Sequence, residues 1–244
     1  MELLSEVLVY AFLPVITIIA GGATGIYKNP GSAFRSSVLH FAAGVVFSVV
    51  SVELLPDIIK NHLPIEVGIG FSMGIILMLF VKYFTERNQK RENAESDNSF
   101  RLPYGLLSAL IIDLIIDGLI LGIGFSAGKK EGMLLSIALG LETFSLGLAV
   151  VIACRKSQLS KSENFLILAG LGLTFFIGAL LGISLLSHLS QEVLELLLSF
   201  GLAALLFLVT EELLTEAHEE KESPIQTACF FIGFLLFLIL GMIS

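Results

Sequence analysis

Hydrophobic residues occur along this chain in long runs that short polar stretches separate. A helix needs about 20 apolar residues to cross the roughly 30 Å hydrocarbon layer of a bilayer. Backbone amides in hydrocarbon must be hydrogen-bonded within their own element, so each such run is read as a membrane helix. The pattern therefore predicts an all-α polytopic membrane protein, with residues 1–244 as a single transmembrane domain. Its eight predicted spans are 7–26, 36–55, 65–84, 103–126, 132–154, 163–186, 193–214 and 225–243.

Composition agrees with this pattern and excludes some functions. Hydrophobic residues make up 55% of the chain, charged residues only 15%, and the mean hydropathy is +0.92. A net charge of −8 argues against nucleic acid as a partner. The two cysteines, Cys154 and Cys229, have no CxxC spacing, so the sequence indicates neither a disulfide framework nor a thiolate metal site.

The distribution of basic residues predicts the orientation of the chain. Lys60, Lys129 and Lys130 fall on one side of the predicted helices, and the other eleven of the 14 Lys and Arg residues fall on the opposite side. Short loops with an excess of basic residues stay in the cytoplasm. We therefore expect both termini outside, in the plasma (inner) membrane. Residues 85–100, polar and mixed in charge, are predicted to form a flexible cytoplasmic loop between three helices and five.

Three carboxylates lie in the middle of apolar runs, where each costs at least ~2.5 kcal/mol to insert. Asp113 and Asp117 are four residues apart in the fourth helix and so share one helix face, and Glu142 lies at a similar depth in the fifth. Three clustered carboxylates repel one another unless protons or a cation lie between them. No Lys or Arg lies inside the fourth or fifth run to neutralise them, and the one basic residue in the eight runs, Lys82, is close to the inner end of the third. We therefore predict a divalent-cation site, with shared protons as the alternative.

Hydroxyl groups add candidate ligands to this site. Ser145 is three residues from Glu142 and can share its helix face, and Thr143 is a second candidate. A role for Ser145 in helix packing is an equally good reading. An all-oxygen ligand set suits Mn²⁺, Mg²⁺ or Ca²⁺, whereas imidazole and thiolate favour Zn²⁺.

Other polar residues lie toward the ends of the helices and suggest a route for the cation. Glu53 and Asp57, near the outer end of the second helix, are predicted to form an entrance. An exit is predicted at the inner ends of the second and seventh helices. Its residues are Glu211, Glu212, His40 and His218. Solvated interfacial residues are the alternative for Asp57 and His218.

The motifs in these helices resemble the ZIP family of metal transporters. The stretch HFAAGVVFSVVSVELLPD (His40–Asp57) is similar to the family's FAAG segment followed by LLPE, and FGLAALLFLVTEELLTEAHEE (Phe200–Glu220) resembles its EExxPEAH pattern. The resemblance implies eight helices in a 3+5 arrangement, with both termini outside and a metal site in the fourth and fifth helices. Here Asp113 takes the family's His position and Asp117 that of the acid before Gly. Leu146 takes the place of a bridging acid.

The sequence therefore predicts transport of Zn²⁺, Mn²⁺ or Fe²⁺, with no prosthetic group. The expected partners are the divalent ion and the lipid bilayer, and a homodimer is left open. One alternative is a non-transporting relative of this family, and another is a cation-coupled transporter of a different solute. An enzyme is not expected, because the chain has no HExxH or GxSxG motif.

Overall fold

Each apolar run of the sequence forms a helix in the structure, a computed structural model that describes residues 2–28, 30–95, 104–186, 189–218 and 223–243. Within these residues the chain is all-helical and has no strand. Eight of the helices are long and apolar enough to cross a membrane, so the predicted all-α polytopic fold is confirmed. They are α1 (Glu2–Lys28), α2 (Ser32–Asn61), α3 (Pro64–Glu95), α4 (Tyr104–Ala127), α5 (Lys129–Cys154), α6 (Lys161–Leu186), α7 (Gln191–Ala217) and α8 (Pro224–Ile243).

The polar segment after the third span differs from its prediction. The helix of α3 continues through Glu95, so the part of the predicted loop at 85–95 is helical. This stretch contains Glu, Gln, Lys, Arg and Ala, which are good helix formers, and apolar periodicity is not needed for a helix that leaves the membrane. The remainder of the predicted loop, residues 96–100, lies outside the described residues.

Two of the long helices contain a π-helical turn. In α2 it spans Val50–Leu54 and includes Glu53. In α7 it spans Leu208–Leu213 and includes Glu211 and Glu212. A π turn inserts an extra residue into the helix and so changes the direction of the side chains that follow, and such turns are frequent at functional sites.

Glycines allow the helices to pack in close pairs. An ideal Cβ placed on Gly178 of α6 would lie 2.3 Å from the carbonyl oxygen of Ile115 in α4. Small residues at such contacts are typical of membrane helices, since they let backbones approach. The same kind of backbone contact joins α1 to α5, α2 to α8 and α3 to α7, at Gly147, Gly44 and Gly70 respectively.

These contacts divide the bundle into two groups of helices. The first group comprises α1, α4, α5 and α6, with α4 packed on α6 and α1 on both α5 and α6. The second group comprises α2, α3, α7 and α8, with α2 packed on α8 and α3 on α7. The groups meet where α2 contacts α5 and where α4 contacts α3 and α7.

Ion pairs show which helix ends lie together. Lys129 at the start of α5 pairs with Glu6 of α1, and the neighbouring Lys130 donates to the carbonyl of Gly241 near the end of α8. Both termini therefore lie at one end of the bundle, which we call the terminal end. Arg35 pairs with Glu216 at the other end, which we call the opposite end.

Candidate metal site

Two of the predicted carboxylates project from one face of α4. Asp113 and Asp117 are four residues apart, so the helical repeat places them one turn apart on the same side. Asp113 is 7% exposed and Asp117 is 3% exposed, although the residues around them are almost all apolar. The glycine that follows Asp117 packs on the backbone of α6, which fixes α4 closely in the bundle.

The third predicted carboxylate, Glu142, projects from α5 and is fully buried. Helix α5 packs beside α4, as the sequence requires if the three groups are to meet. Several glycines of these two helices pack against other helices instead. Gly118 and Gly122 of α4 face α6, and Gly147 of α5 faces α1.

Asp113, Asp117 and Glu142 form one cluster. Each contributes a carboxylate oxygen, and these oxygens all lie within 4.8 Å of one another. Within the described residues, Asp117 Oδ2 and both carboxylate oxygens of Glu142 are buried and have no hydrogen-bond donor. A buried charge without a partner is costly, so these groups need protons or a cation. The arrangement can hold either, because carboxylate oxygens of all three residues lie within 4.8 Å of one another.

A fourth carboxylate belongs to the surroundings of this cluster. Glu212, in the π turn of α7, interacts electrostatically with Asp113, Asp117 and Glu142. The sequence grouped Glu212 with the exit; its charge also acts on the central cluster, although Glu212 is not one of the three residues whose oxygens lie within 4.8 Å of one another. It brings negative charge from the second group of helices toward a cluster that belongs to the first.

The two hydroxyl candidates differ in their surroundings. Thr143 faces α1, where its hydroxyl contacts the hydroxyl of Thr17 at 2.9 Å and the carbonyl of Pro14 at 3.1 Å. Ser145 is buried, and its hydroxyl donates to the backbone carbonyl of Glu142 at 2.7 Å. Its oxygen keeps lone pairs that can accept or coordinate. A ligand role for Ser145 therefore stays a prediction.

The predicted entrance residues lie toward the terminal end, and each has a lysine partner. Glu53 is 3.5 Å from Lys130 of α5 and is largely buried, and Asp57 is 2.9 Å from Lys60 of its own helix. The Glu53–Lys130 pair joins α2 to α5 and so connects the two groups of helices. These lysines neutralise charge that an arriving cation would otherwise meet, and an entrance role for Glu53 and Asp57 stays a prediction.

The predicted exit residues lie toward the opposite end, and two of them meet. The rings of His40 and His218 have centroids 5.1 Å apart. His40 is buried and its Nδ1 donates to the Ser36 carbonyl at 2.8 Å, which leaves Nε2 without a partner among the described residues. Glu211 is exposed and pairs with Lys82 at 2.6 Å. Their part in an exit stays a prediction.

Glu195 is a buried charge that was not among the predicted site residues. It lies near the start of α7 and is only 1% exposed. Asn61, at the end of α2, covers it and donates to its carboxylate at 2.7 Å. Its spacing of four residues from Ser199 was the available signal, since the same spacing identified Asp113 and Asp117.

Comparison with known proteins places these features in a family. A model of the ZIP zinc transporter family matches residues 85–241, which is more than half of the chain. The chain is 29% identical over 220 residues to the zinc transporter ZIPB of Bordetella bronchiseptica, an alignment that covers 84% of this chain and 70% of that protein. It is 32% identical over 127 residues to the zinc transporter GufA of Myxococcus xanthus, which covers 52% of this chain and 50% of that protein.

Proposed function

Because this chain belongs to the ZIP zinc transporter family and is an integral membrane protein that transports metal ions, we propose that its cargo passes through Asp113, Asp117 and Glu142. One observation carries the proposal: three buried carboxylates from α4 and α5 converge within 4.8 Å. Electrostatic repulsion makes such a cluster unfavourable when empty and ionised, and a divalent cation removes that cost.

Zn²⁺ is the first candidate for the cargo. Both relatives are named zinc transporters. The oxygen ligands of this chain add Mn²⁺ and Fe²⁺ as candidates, because carboxylate favours harder cations than imidazole or thiolate does. Competition of Mn²⁺ and Fe²⁺ against labelled Zn²⁺ in uptake distinguishes these candidates.

The route runs from the terminal end, taken as the outside, to the opposite end, taken as the cytoplasm. The ion loses water at the three carboxylates and then passes Glu212 toward His40 and His218. Shifting the first group of helices against the second would open the site to each side in turn. The contact between Glu53 and Lys130 would have to part in that motion, since it joins the two groups.

The substitution Asp117→Asn tests the proposal. It removes one negative charge from the cluster and keeps the shape of the side chain. We expect labelled Zn²⁺ uptake into vesicles containing the purified protein to fall to the level of protein-free vesicles. Glu192→Gln is the matched control, because Glu192 is an exposed carboxylate on α7. Unchanged flux in Asp117→Asn would remove these carboxylates from the transport route.

A further inference from the structure

Some buried polar atoms have no role in the site described above. Within the described residues, hydrogen-bond partners are lacking for Glu195 Oε1 and for the hydroxyls of Ser48 and Ser199. Two of these three residues, Glu195 and Ser199, lie one helical turn apart on the same face of α7. Buried polar atoms are normally hydrogen-bonded, so a pair of unpartnered oxygens on one face needs an explanation.

Only one of the two carboxylate oxygens of Glu195 has a hydrogen-bond partner among the described residues. One oxygen, Oε2, accepts a hydrogen bond from the Asn61 side-chain amide at 2.7 Å. The other, Oε1, is buried and has no donor among the described residues. None of the described lysines or arginines forms an ion pair with it. In contrast, Glu53 and Asp57 each have a lysine partner at this end of the bundle.

Ser199 extends this polar face toward the middle of α7. It is fully buried, and its Oγ has no hydrogen-bond partner within the described chain. A helix rises about 1.5 Å per residue, so Ser199, four residues further on, lies about 6 Å deeper than Glu195 along the helix axis. A carboxylate oxygen and a hydroxyl oxygen at this spacing are hard ligands that suit a partly hydrated divalent cation.

We propose that Glu195 and Ser199 form a second cation site on α7, nearer the terminal end than the three central carboxylates. At this site an arriving ion exchanges part of its water for protein oxygens, and Asn61 acts as a positioning residue that orients the Glu195 carboxylate. The inference rests on the proposed function, because the cation is the transported one. It makes Glu195 the first carboxylate ligand on the inward route, ahead of the lysine-paired Glu53.

Counting bound metal tests the site directly. The background is the whole 244-residue chain in detergent with Asp113→Asn, Asp117→Asn and Glu142→Gln combined, which removes the central cluster. Adding Glu195→Gln to this background is expected to remove one further bound Zn²⁺ per chain in equilibrium dialysis. The Gln side chain can still accept from Asn61, so the fold is preserved. Adding Glu192→Gln, three residues earlier on the exposed surface of α7, is expected to leave the count unchanged.

Uptake kinetics separate this inference from the proposed function. In an otherwise unaltered chain, Glu195→Gln is expected to raise the Zn²⁺ concentration for half-maximal uptake by about tenfold, with the maximal rate retained. Asp117→Asn is expected to abolish uptake. If Asp117→Asn abolishes uptake while Glu195→Gln changes neither the metal count nor the half-maximal concentration, the second site is wrong and the central site stands. If neither variant alters uptake, the proposed function fails as well.

Discussion

At the scale of single residues, Glu142 is a buried carboxylate with no neutralising partner among the described residues. It is fully buried, and neither of its carboxylate oxygens has a donor among the described residues. A buried group in this position is expensive when ionised and alone, so its ionised form depends on a cation held with Asp113 and Asp117. Metal binding should therefore stabilise the folded protein, because the unfolded chain does not assemble the cluster.

The substitution Glu142→Gln should remove most of the stabilisation that bound Zn²⁺ gives to the folded protein. At Zn²⁺ concentrations 100-fold above the dissociation constant, binding contributes about 2.7 kcal/mol to the folded state. The unaltered protein should accordingly unfold at a higher temperature when Zn²⁺ is added, and Glu142→Gln should lose most of that increase. Thermal unfolding in detergent measures the Zn²⁺-dependent rise in unfolding temperature for the unaltered protein and for Glu142→Gln, and Glu192→Gln is the control. An undiminished Zn²⁺ effect in Glu142→Gln would show that the ion binds elsewhere.

Single residues also show what the sequence could predict. The convergence of Asp113, Asp117 and Glu142 was predictable, because the helical repeat and the thickness of the membrane fix both face and depth. The burial of Glu195 was not, because it depends on whether another helix covers the start of α7. The contact comes from Asn61 at the end of α2, which is far from Glu195 in the sequence and donates a hydrogen bond to its carboxylate.

At the scale of the elements, close backbone contacts hold the helices in pairs. Gly178 of α6 rests against the carbonyl of Ile115, which lies midway in sequence between the two aspartates of α4 that belong to the site. The sequence predicted the existence of every long helix, because hydropathy marks each one. It did not show which helix a given glycine faces, and neither π turn was predicted, since hydropathy carries no information on partner or hydrogen-bond register.

Gly178→Ala should therefore weaken the pairing of α4 and α6. Its Cβ would lie 2.3 Å from a backbone oxygen that cannot move without shifting α4. We expect a loss of about 1–3 kcal/mol in the free energy of unfolding, measured by denaturation in mixed micelles. Gly170→Ala on the same helix is the control, because nothing lies within 4 Å of its Cβ position. Equal stability of the two variants would contradict the close packing.

At the scale of the whole molecule, the charge at the two ends predicts how the chain is oriented in the membrane. The pairing of Lys129 with Glu6 places the start of α5 beside the start of α1. This agrees with four membrane crossings, by α1 to α4, between the two positions. Basic residues are concentrated at the opposite end, and this asymmetry predicts that the opposite end faces the cytoplasm. The asymmetry is a property of the sequence, whereas the division into two groups of helices emerged only from the packing.

Labelling of introduced cysteines tests this orientation. In a variant that lacks Cys154 and Cys229, Gln191→Cys at the terminal end should react with a membrane-impermeant thiol reagent added to intact cells. Ser160→Cys at the opposite end should react only after the membrane is opened. Both positions are exposed in the structure, so accessibility does not otherwise distinguish them. The reverse pattern would place the termini in the cytoplasm.

Transport through this site requires that the three buried carboxylates bind the transported ion. Anomalous diffraction from crystals grown with Zn²⁺ and measured at the zinc edge tests it most directly. We expect a peak about 2.0–2.2 Å from carboxylate oxygens of Asp113, Asp117 and Glu142. A map at saturating Zn²⁺ with no peak among these three side chains, or with peaks only elsewhere, would contradict it.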